Sequence, residues 1–157
     1  MSRYNIVDAD FPTDTPDVVR LFRSYADWLG IDMGFQGFEE EIASLPGRYQ
    51  APGGALLLLR DEDGTAIGCV AMRDLGNGRC ELKRMYLDIG ARGQGQGRAL
   101  GEAIIARARD AGYRRMVLDT LDYMGAALKL YDRLGFQRIA PYYNNPMQGA
   151  VYLGRDL

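Results

Sequence analysis

The most consequential absence in this 157-residue chain is histidine, which does not occur at all. Without histidine there is no Ser-His or Cys-His nucleophile, and a common ligand of transition metals is missing. Only two cysteines are present, Cys69 and Cys80, and both lie in apolar, strand-like surroundings. This context favours small buried core residues in a reducing cytoplasm over a disulfide or a metal site. Acid–base chemistry must therefore fall to carboxylates, tyrosines, lysines or the substrate itself.

Other absences narrow the class of protein. No apolar run approaches the ~20 residues of a membrane helix, and residues 1–5 lack the apolar stretch of a signal peptide. The formal net charge is −2, which gives no reason to expect nucleic acid or an anionic membrane as a partner. Repeats, low-complexity tracts and linkers are also missing. We therefore expect one compact cytoplasmic domain over residues 1–157, a size that can bury a full core.

The chain's most informative feature is the glycine-rich run RGQGQG at residues 92–97. It follows a strand-like segment, 81–87, and leads into a helix-like segment, 98–105. Alternate glycines let the backbone turn sharply and approach a ligand closely, and amides at a helix start attract negative charge. Arg92 and Arg98 add positive charge on either side. The pattern predicts a binding site for a phosphate or pyrophosphate. The alternative is a glycine-rich turn that binds no ligand.

Two other kinds of phosphate-binding loop fit this run less well. A P-loop ends in Gly-Lys-Ser/Thr, whereas Gly97 is followed by Arg98 and Ala99, so no side chain is placed for magnesium. A dinucleotide fingerprint needs a third glycine where Arg98 stands, and it normally follows the first strand of its domain. Asp119, at the end of a later predicted strand, nevertheless keeps a nucleotide-binding domain open as a further class.

Hydrophobic periodicity predicts an alternation of strands and helices. A helix is expected at residues 16–29, with Thr15 as its N-cap and Pro16 in its first turn. Further helices are expected at 38–45, 95–111 and 123–134. Strands are expected at 4–8, 55–59, 66–72, 80–87, 116–119, 136–140 and 150–153. This alternation indicates an α/β domain with a mixed sheet.

Three segments together resemble the GCN5-related N-acetyltransferase (GNAT) superfamily, from about residue 81 to residue 136. The family's loop pattern, Arg/Gln-x-x-Gly-x-Gly/Ala, is met by Arg92, Gly95 and Gly97. Segment 112–120 is a helix end followed by an apolar strand, and segment 127–136 fits the family pattern Ala-x-x-x-Tyr-x-x-x-Gly-Phe. One position departs from the family, because many members carry an Asn that contacts the pantetheine arm where this chain has Met124.

The resemblance implies a single-domain α/β fold with a mixed, mostly antiparallel central sheet flanked by helices. It implies acetyl-CoA as cofactor, no metal, and direct acetyl transfer to a primary amine in a ternary complex, and it leaves a homodimer open. A non-catalytic acyl-CoA-binding or regulatory module on the same fold is the alternative. The residues expected to bind the cofactor are Met85, Tyr86, Leu87, Arg92, Gly93, Gln94, Gly95, Gln96, Gly97 and Arg98.

Two side chains are candidate catalytic residues. Tyr131 matches the family's tyrosine beside the thioester sulfur, which implies a general acid for the leaving thiolate. Taken alone, it would be interpreted as a helix tyrosine that packs on the sheet. Glu81 precedes the expected acetyl site and is the only carboxylate between Asp74 and Asp88, so it is a candidate base. Alternatively, Glu81 forms a solvated ion pair with Lys83 or Arg84 on the protein surface, or it only holds a cationic amine in place.

The acceptor is expected to be a small or amino-acid-like primary amine. In the family two segments close over the acceptor, and here they are 31–38 and 141–147. The second is rich in aromatic and amide side chains, which suit a small polar molecule. Arg84 on the central strand is expected to pair with an acceptor carboxylate. The candidate substrate-binding residues are Phe35, Arg84, Tyr142 and Asn144.

Overall fold

A computed structural model describes residues 3–30 and 32–157, without the side chains of Phe35 and Gln36. Within this part, seven strands form one sheet in the order β1-β2-β3-β4-β5-β7-β6. The strands are β1 (Asn5–Asp8), β2 (Ala55–Arg60), β3 (Ala66–Gly76), β4 (Arg79–Leu87), β5 (Arg115–Leu121), β6 (Gln137–Arg138) and β7 (Ala150–Asp156). The α-helices are α1 (Thr15–Leu29), α2 (Phe38–Ala43), α3 (Gln96–Asp110) and α4 (Gly125–Arg133).

Helices cover both faces of the sheet and give it two hydrophobic cores. Residues of α3 and α4, such as Ile104 and Tyr131, pack with one face. Residues of α1 and α2, such as Phe22 and Phe38, pack with the other face. Because successive side chains of a strand alternate between faces, β2 contributes to both cores and is apolar along nearly its whole length. This burial explains why the sequence there is a continuous run of leucines.

The sheet opens between β4 and β5, its parallel pair of strands. Backbone pairing joins Arg79–Glu81 of β4 to residues 115–117 of β5 and then stops, whereas the other neighbouring strands are antiparallel. On the opposite side of β4, a register shift leaves Val70 opposite both Arg84 and Met85, which is a β-bulge. Arg84 has a φ of 59°, which is uncommon outside glycine. The separation of the strands and the bulge therefore lie close together along β4.

The predicted strands and helices are all found, with different ends. The second helix ends at Ala43 rather than residue 45, and β6 has two residues rather than five. The prediction that Thr15 caps α1 was wrong, because Asp14 is the N-cap residue and makes no side-chain cap. Its carboxylate instead accepts the backbone N–H of Asp10 at 2.7 Å. The sequence-based fold class, a mixed and mostly antiparallel sheet flanked by helices, is confirmed.

Neither a membrane-spanning helix nor a metal-binding cluster occurs in the described residues. None of the helices found there is both long and apolar enough to cross a membrane. The same residues contain no group of three or more side chains of the kind that hold a metal ion. Cys69 and Cys80 are fully buried free thiols, as the apolar context of both residues predicted.

Candidate active site

A cleft, here called the splay cleft, opens where β4 and β5 separate. Its walls include Lys83, Arg84 and Met85 from β4, Asp119 and Thr120 from β5, and Tyr131 from α4. The N-terminal helix side contributes Tyr25 and Met33, and the loop between β6 and β7 contributes Asn145. A gap between parallel strands exposes backbone groups that no neighbouring strand uses. The cleft thus combines the separated edges of two strands with acidic, basic and phenolic side chains.

Tyr131, the predicted general acid, lies on the wall of the splay cleft. Its side chain is buried, and its ring packs edge-on against Phe136 with 5.8 Å between ring centroids. Burial raises the pKa of Tyr131 far above its usual value, so the hydroxyl keeps its proton at every working pH. It can therefore donate a hydrogen bond or a proton, and the Phe136 of the same sequence pattern holds its ring in place.

Glu81 is buried in the protein, with 1% of its surface exposed. The surface-pair alternative was wrong: its oxygens accept from Arg73 at 2.7 Å and from the Tyr142 hydroxyl at 2.5 Å. Burial would raise the pKa of the Glu81 carboxyl. The positive charges of Lys83 and Arg73, with the hydrogen bond from Tyr142, outweigh burial and lower that pKa. The Glu81 carboxylate therefore stays ionised at neutral pH. It holds the loop between β6 and β7 in place through Tyr142, which was predicted to bind the substrate.

Arg84 already has a carboxylate partner inside the protein. Its Nε and Nη2 donate to the two carboxylate oxygens of Glu41 on α2, at 3.0 and 2.9 Å. The guanidinium also lies over the rings of Phe38 and Tyr25, at 5.3 and 5.8 Å from their centroids. A bidentate pair of this kind is a strong one. Although Arg84 lines the cleft, its charge is balanced by Glu41, which corrects the expectation that it pairs with an acceptor carboxylate.

Two charged side chains in the cleft, Lys83 and Asp119, were not predicted as site residues from the sequence. Lys83 is 5% exposed, and burial, followed by the positive charge of Arg84, lowers its pKa to about 8. Asp119 had been noted only for a nucleotide-binding alternative. Its Oδ2 accepts hydrogen bonds from the Tyr143 hydroxyl and, at 2.8 Å, from Asn145 Nδ2.

Asn144 and Phe35 were also predicted to contact the acceptor. Asn144 is exposed and does not line the cleft, whereas its neighbour Asn145 does. The role predicted for Asn144 in binding the acceptor therefore stays a prediction, and the side chain of this pair that lines the cleft is Asn145. The prediction for Phe35 concerns a side chain that lies outside the described part of the chain.

The glycine-rich loop leaves open space above the start of α3. Gly93 and Gly95 have φ values of 78° and 80°, which glycine adopts at little cost. Gly95 is also the N-cap of α3, so no side chain caps the helix. A Cβ added at either glycine would meet no atom within 4 Å. Unpaired amides facing open space at the start of a 15-residue helix fit a phosphate group.

Gly97 and its neighbours fix this loop to the rest of the fold. A Cβ on Gly97 would lie 3.4 Å from Leu130 on α4, so this glycine lets α3 and α4 approach. The guanidinium of Arg92 stacks on Trp28, 4.9 Å from its ring centroid, and donates through Nε to the Leu87 carbonyl at 2.9 Å. Arg92 therefore joins the loop to the end of β4.

The remaining residues predicted to bind the cofactor form two groups. Met85 lines the cleft, and Tyr86 contacts Arg92, whose guanidinium lies 5.5 Å from its ring centroid. Gln94 accepts a hydrogen bond from the hydroxyl of Tyr4. Gln96 begins α3, and Arg98 pairs with Glu102 at 3.0 Å on the helix surface. The predicted residues thus run without interruption from the cleft along the end of β4 to the start of α3.

Comparison with known proteins agrees with this geometry. The family model described as Acetyltransferase (GNAT) family matches residues 19–136. An uncharacterized N-acetyltransferase of Schizosaccharomyces pombe is 40% identical over 157 residues, covering 99% of this chain and 96% of the relative. A GNAT-family acetyltransferase from Staphylococcus aureus Mu50 shares the fold at 20% identity, with a TM-score of 0.82 and 98% of both chains covered.

A second solved structure adds a bound ligand to this comparison. It is a GNAT superfamily phosphinothricin acetyltransferase from Sinorhizobium meliloti, in complex with acetyl-CoA. The match has 19% identity and a TM-score of 0.74, and covers 99% of this chain and 89% of that one. At this identity the likeness concerns the fold, while the family model and the yeast relative establish kinship. The chain therefore belongs to the GNAT family of acetyltransferases.

Proposed function

We propose that this protein transfers the acetyl group of acetyl-CoA directly to a primary amine of a small molecule, with both substrates bound together. The observation that carries the proposal is the arrangement of three features along one path. The bulge at Arg84, the phenol of Tyr131 on the cleft wall and the open helix start at Gly95 follow one another. Family membership makes the protein an acetyltransferase, and these features supply the parts that the reaction needs.

The residues of the glycine-rich loop suit the pyrophosphate of CoA. In the proposal, the backbone amides of segment 93–97 bind it at the α3 N-terminus, where the helix dipole favours negative charge. Arg92 and Arg98 add positive charge, and the β4 segment 85–87 lies along the pantetheine arm. When bound, acetyl-CoA supplies the acetyl group in activated form, as a thioester.

The side chains of the cleft have separate tasks in this proposal. Backbone N–H groups released at the bulge donate to the carbonyl oxygen that gains negative charge. The acceptor attacks the thioester carbon as a neutral amine, after its ammonium form has lost a proton to water. As the C–N bond forms and the C–S bond breaks, the Tyr131 hydroxyl gives its proton to the departing sulfur, and the proton lost from the new amide nitrogen restores the phenol. The low pKa of Glu81 makes it a weak base, and both of its oxygens are occupied by Arg73 and Tyr142, so we assign Glu81 to anchoring Tyr142 rather than to removing the proton of the amine.

Direct transfer, without an acetylated protein intermediate, is supported by the lack of a suitable nucleophile. Histidine is absent, and burial raises the pKa of Cys69 and of Cys80 to about 12. A thiol reacts through its thiolate, which is scarce at neutral pH when the pKa is so high. Cys69 also has a structural role, because its thiol donates to the Arg84 carbonyl at 3.2 Å, beside the bulge.

The test combines binding and turnover. Thermal denaturation with acetyl-CoA, CoA and NAD should show stabilisation by the first two ligands only. Thiol release from acetyl-CoA is then followed across a panel of small amines. Release with one class of amine supports the proposal. Stabilisation by acetyl-CoA without release for any amine would instead indicate a non-catalytic acyl-CoA-binding module, and stabilisation by NAD alone a nucleotide-binding domain.

A further inference from the structure

Asp119 stands on β5 just beyond the point where the two parallel strands stop pairing. The last paired residues are Glu81 and Val117, and Asp119 lies two residues after Val117. Asp119 lines the splay cleft, as does Tyr131. Asp119 therefore places a carboxylate in the cavity that, in the proposed function, holds the thioester.

The loop between β6 and β7 holds this carboxylate through uncharged groups. Its Oδ2 accepts hydrogen bonds from the Tyr143 hydroxyl and, at 2.8 Å, from Asn145 Nδ2. Tyr152 supports both residues, because its hydroxyl donates to the Tyr143 carbonyl at 2.7 Å and accepts the Asn145 backbone N–H at 3.0 Å. An ionised carboxylate can accept about four hydrogen bonds, so Asp119 is held in position and keeps the capacity to accept more.

Two other acidic side chains beside the cleft are each balanced by an arginine. Glu41 accepts hydrogen bonds on both of its oxygens from Arg84, and Glu81 pairs with Arg73 at 2.7 Å. The ion pairs found among the described residues involve carboxylates other than that of Asp119. A phenol and an amide orient a carboxylate without cancelling its charge, so Asp119 attracts a cation that enters the cleft.

The charge of Asp119 acts on groups from several elements around the cleft. Burial, and then the charge of Arg84, lower the pKa of Lys83 on β4, whereas negative charges, among them Asp119, oppose that fall. Burial raises the pKa of Tyr131 on α4, and Tyr25 and Asp119 add to the rise. The Asp119 carboxylate is therefore within electrostatic reach of the proposed acid. A nitrogen bound at Asp119 lies in the same cavity as the sulfur that Tyr131 protonates in the proposed function.

We propose that Asp119 binds the acceptor amine in its ammonium form and thereby selects strongly basic aliphatic amines over weakly basic aromatic ones. The inference rests on the proposed function and names its substrate class. An aliphatic amine such as that of lysine has a pKa of about 10.4, so the cation is its abundant form at neutral pH. An aromatic amine is uncharged there. A hydrogen bond between an ammonium and a carboxylate is roughly twice as strong as one between neutral groups, which favours the aliphatic class.

The bound ammonium loses its proton to water before it attacks, and Asp119 stays ionised throughout. Because a nearby negative charge favours the charged form of an amine, Asp119 raises the pKa of the bound acceptor. The rate of the chemical step should therefore rise with pH as that proton is lost. A purely structural role of Asp119 would not link this rise to the charge of its side chain.

The experiment compares acceptors that differ in charge but little in shape. Each aliphatic amine of the panel is paired with its β,β-difluorinated analogue, which is largely neutral at pH 8, and thiol release from acetyl-CoA is measured with both. Asp119→Asn keeps an oxygen that can accept from Tyr143 and removes the charge. It should raise KM for the best aliphatic amine by about tenfold or more, the value of one hydrogen bond to a charged group, and change KM for the neutral analogue much less.

Two further variants separate the charge from the loop. Asp132→Asn removes an exposed carboxylate on α4 and should leave KM for both amines unchanged. Tyr143→Phe removes one hydrogen bond of the loop but keeps the Asp119 charge, so it should affect the amine and its analogue alike. In single turnovers at saturating amine, Asp119→Asn should also move the rise of rate with pH about one unit lower, whereas Asp132→Asn should not move it.

The unaltered protein provides a measurement that needs no variant. Calorimetry of its complex with CoA should show that the best aliphatic amine binds about tenfold more tightly than the alcohol with the same carbon skeleton. Equal affinity for the amine and the alcohol overturns the inference.

The outcomes separate the inference from the function on which it rests. Equal changes in KM for the amine and its analogue in a folded Asp119→Asn protein overturn the inference and leave the acetyltransferase intact. A pH profile that Asp119→Asn does not shift has the same meaning. Absence of thiol release with every amine overturns the proposed function, and the inference with it.

Discussion

The replacement of Tyr131 by phenylalanine isolates the proposed acid. Tyr131 is 6% exposed and packs against Phe136, so Tyr131→Phe keeps the ring, its contacts and the shape of the cleft. Only the hydroxyl, and the proton that it offers to the leaving sulfur, is lost. We therefore expect acetyl-CoA affinity to change little, while the chemical step slows.

The size of this effect follows from two opposing considerations. General acid help is typically worth on the order of 10² to 10⁴ in rate, or about 3 to 5 kcal/mol of barrier. A thiolate leaves fairly well unaided, and the burial that raises the pKa of Tyr131 makes its hydroxyl a weaker acid. Both considerations favour the low end of that range of rate effects, a fall of about 10² in kcat. The same dry surroundings also raise the basicity of the departing thiolate, which preserves the benefit of a donor.

The assay is a single-turnover measurement with saturating acetyl-CoA, so that slow product release does not hide the chemical step. Acetyl-CoA affinity is determined separately by calorimetry. Tyr123→Phe is the matched control, because Tyr123 is exposed and, within the part of the chain that the structure describes, its hydroxyl donates one hydrogen bond, to the Leu29 carbonyl at 3.4 Å. If Tyr131→Phe reacts within about twofold of wild type, far from the range of general acid catalysis, Tyr131 is a packing residue and the reasoning fails.

Two further predictions concern the glycine-rich loop and the cysteines. Gly95→Val should abolish most acetyl-CoA binding in a folded protein. Gly64→Val is the control, because Gly64 has a similar positive φ in an open turn remote in sequence from the loop, so its replacement should cost stability but not affinity. Equal binding of acetyl-CoA by both variants would contradict the loop assignment. Cys69 and Cys80 should resist thiol reagents at neutral pH until the protein unfolds, because burial raises the pKa of both thiols to about 12. Rapid labelling of the native protein would refute this resistance. A variant with both cysteines replaced by alanine should retain its turnover per folded molecule.

The glycine loop and the place of Tyr131 in the cleft were predictable because their signals are local. Glycines needed at positive φ are visible in sequence, and Gly93 and Gly95 both adopt such angles. Tyr131 and Phe136 lie on adjacent turns of chain and contact each other. Short-range chemistry of this kind requires no knowledge of how distant segments pack. It also fixed most helices and strands, with errors confined to their ends.

The acceptor side was harder to predict because it depends on distant packing. Arg84 meets Glu41, 43 residues away, and nothing in the sequence pairs the two. Alternating charges at Glu81 and Lys83 are typical of a solvated strand face, yet helices and the 141–147 loop cover that face. In the same loop no periodic pattern shows which of Asn144 and Asn145 points inward. Only the structure shows which residues of this loop line the cleft.

The most direct test of the account uses acetyl-CoA labelled with deuterium in the acetyl group, together with an amine that turns over. Mass spectrometry of both the small-molecule product and the intact protein follows the label. Direct transfer predicts labelled N-acetyl product in equal amount to the CoA released, with the mass of the protein unchanged at every time point. Label that first appears on the protein and then moves to the amine, or CoA release without any acetylated amine, would contradict the account.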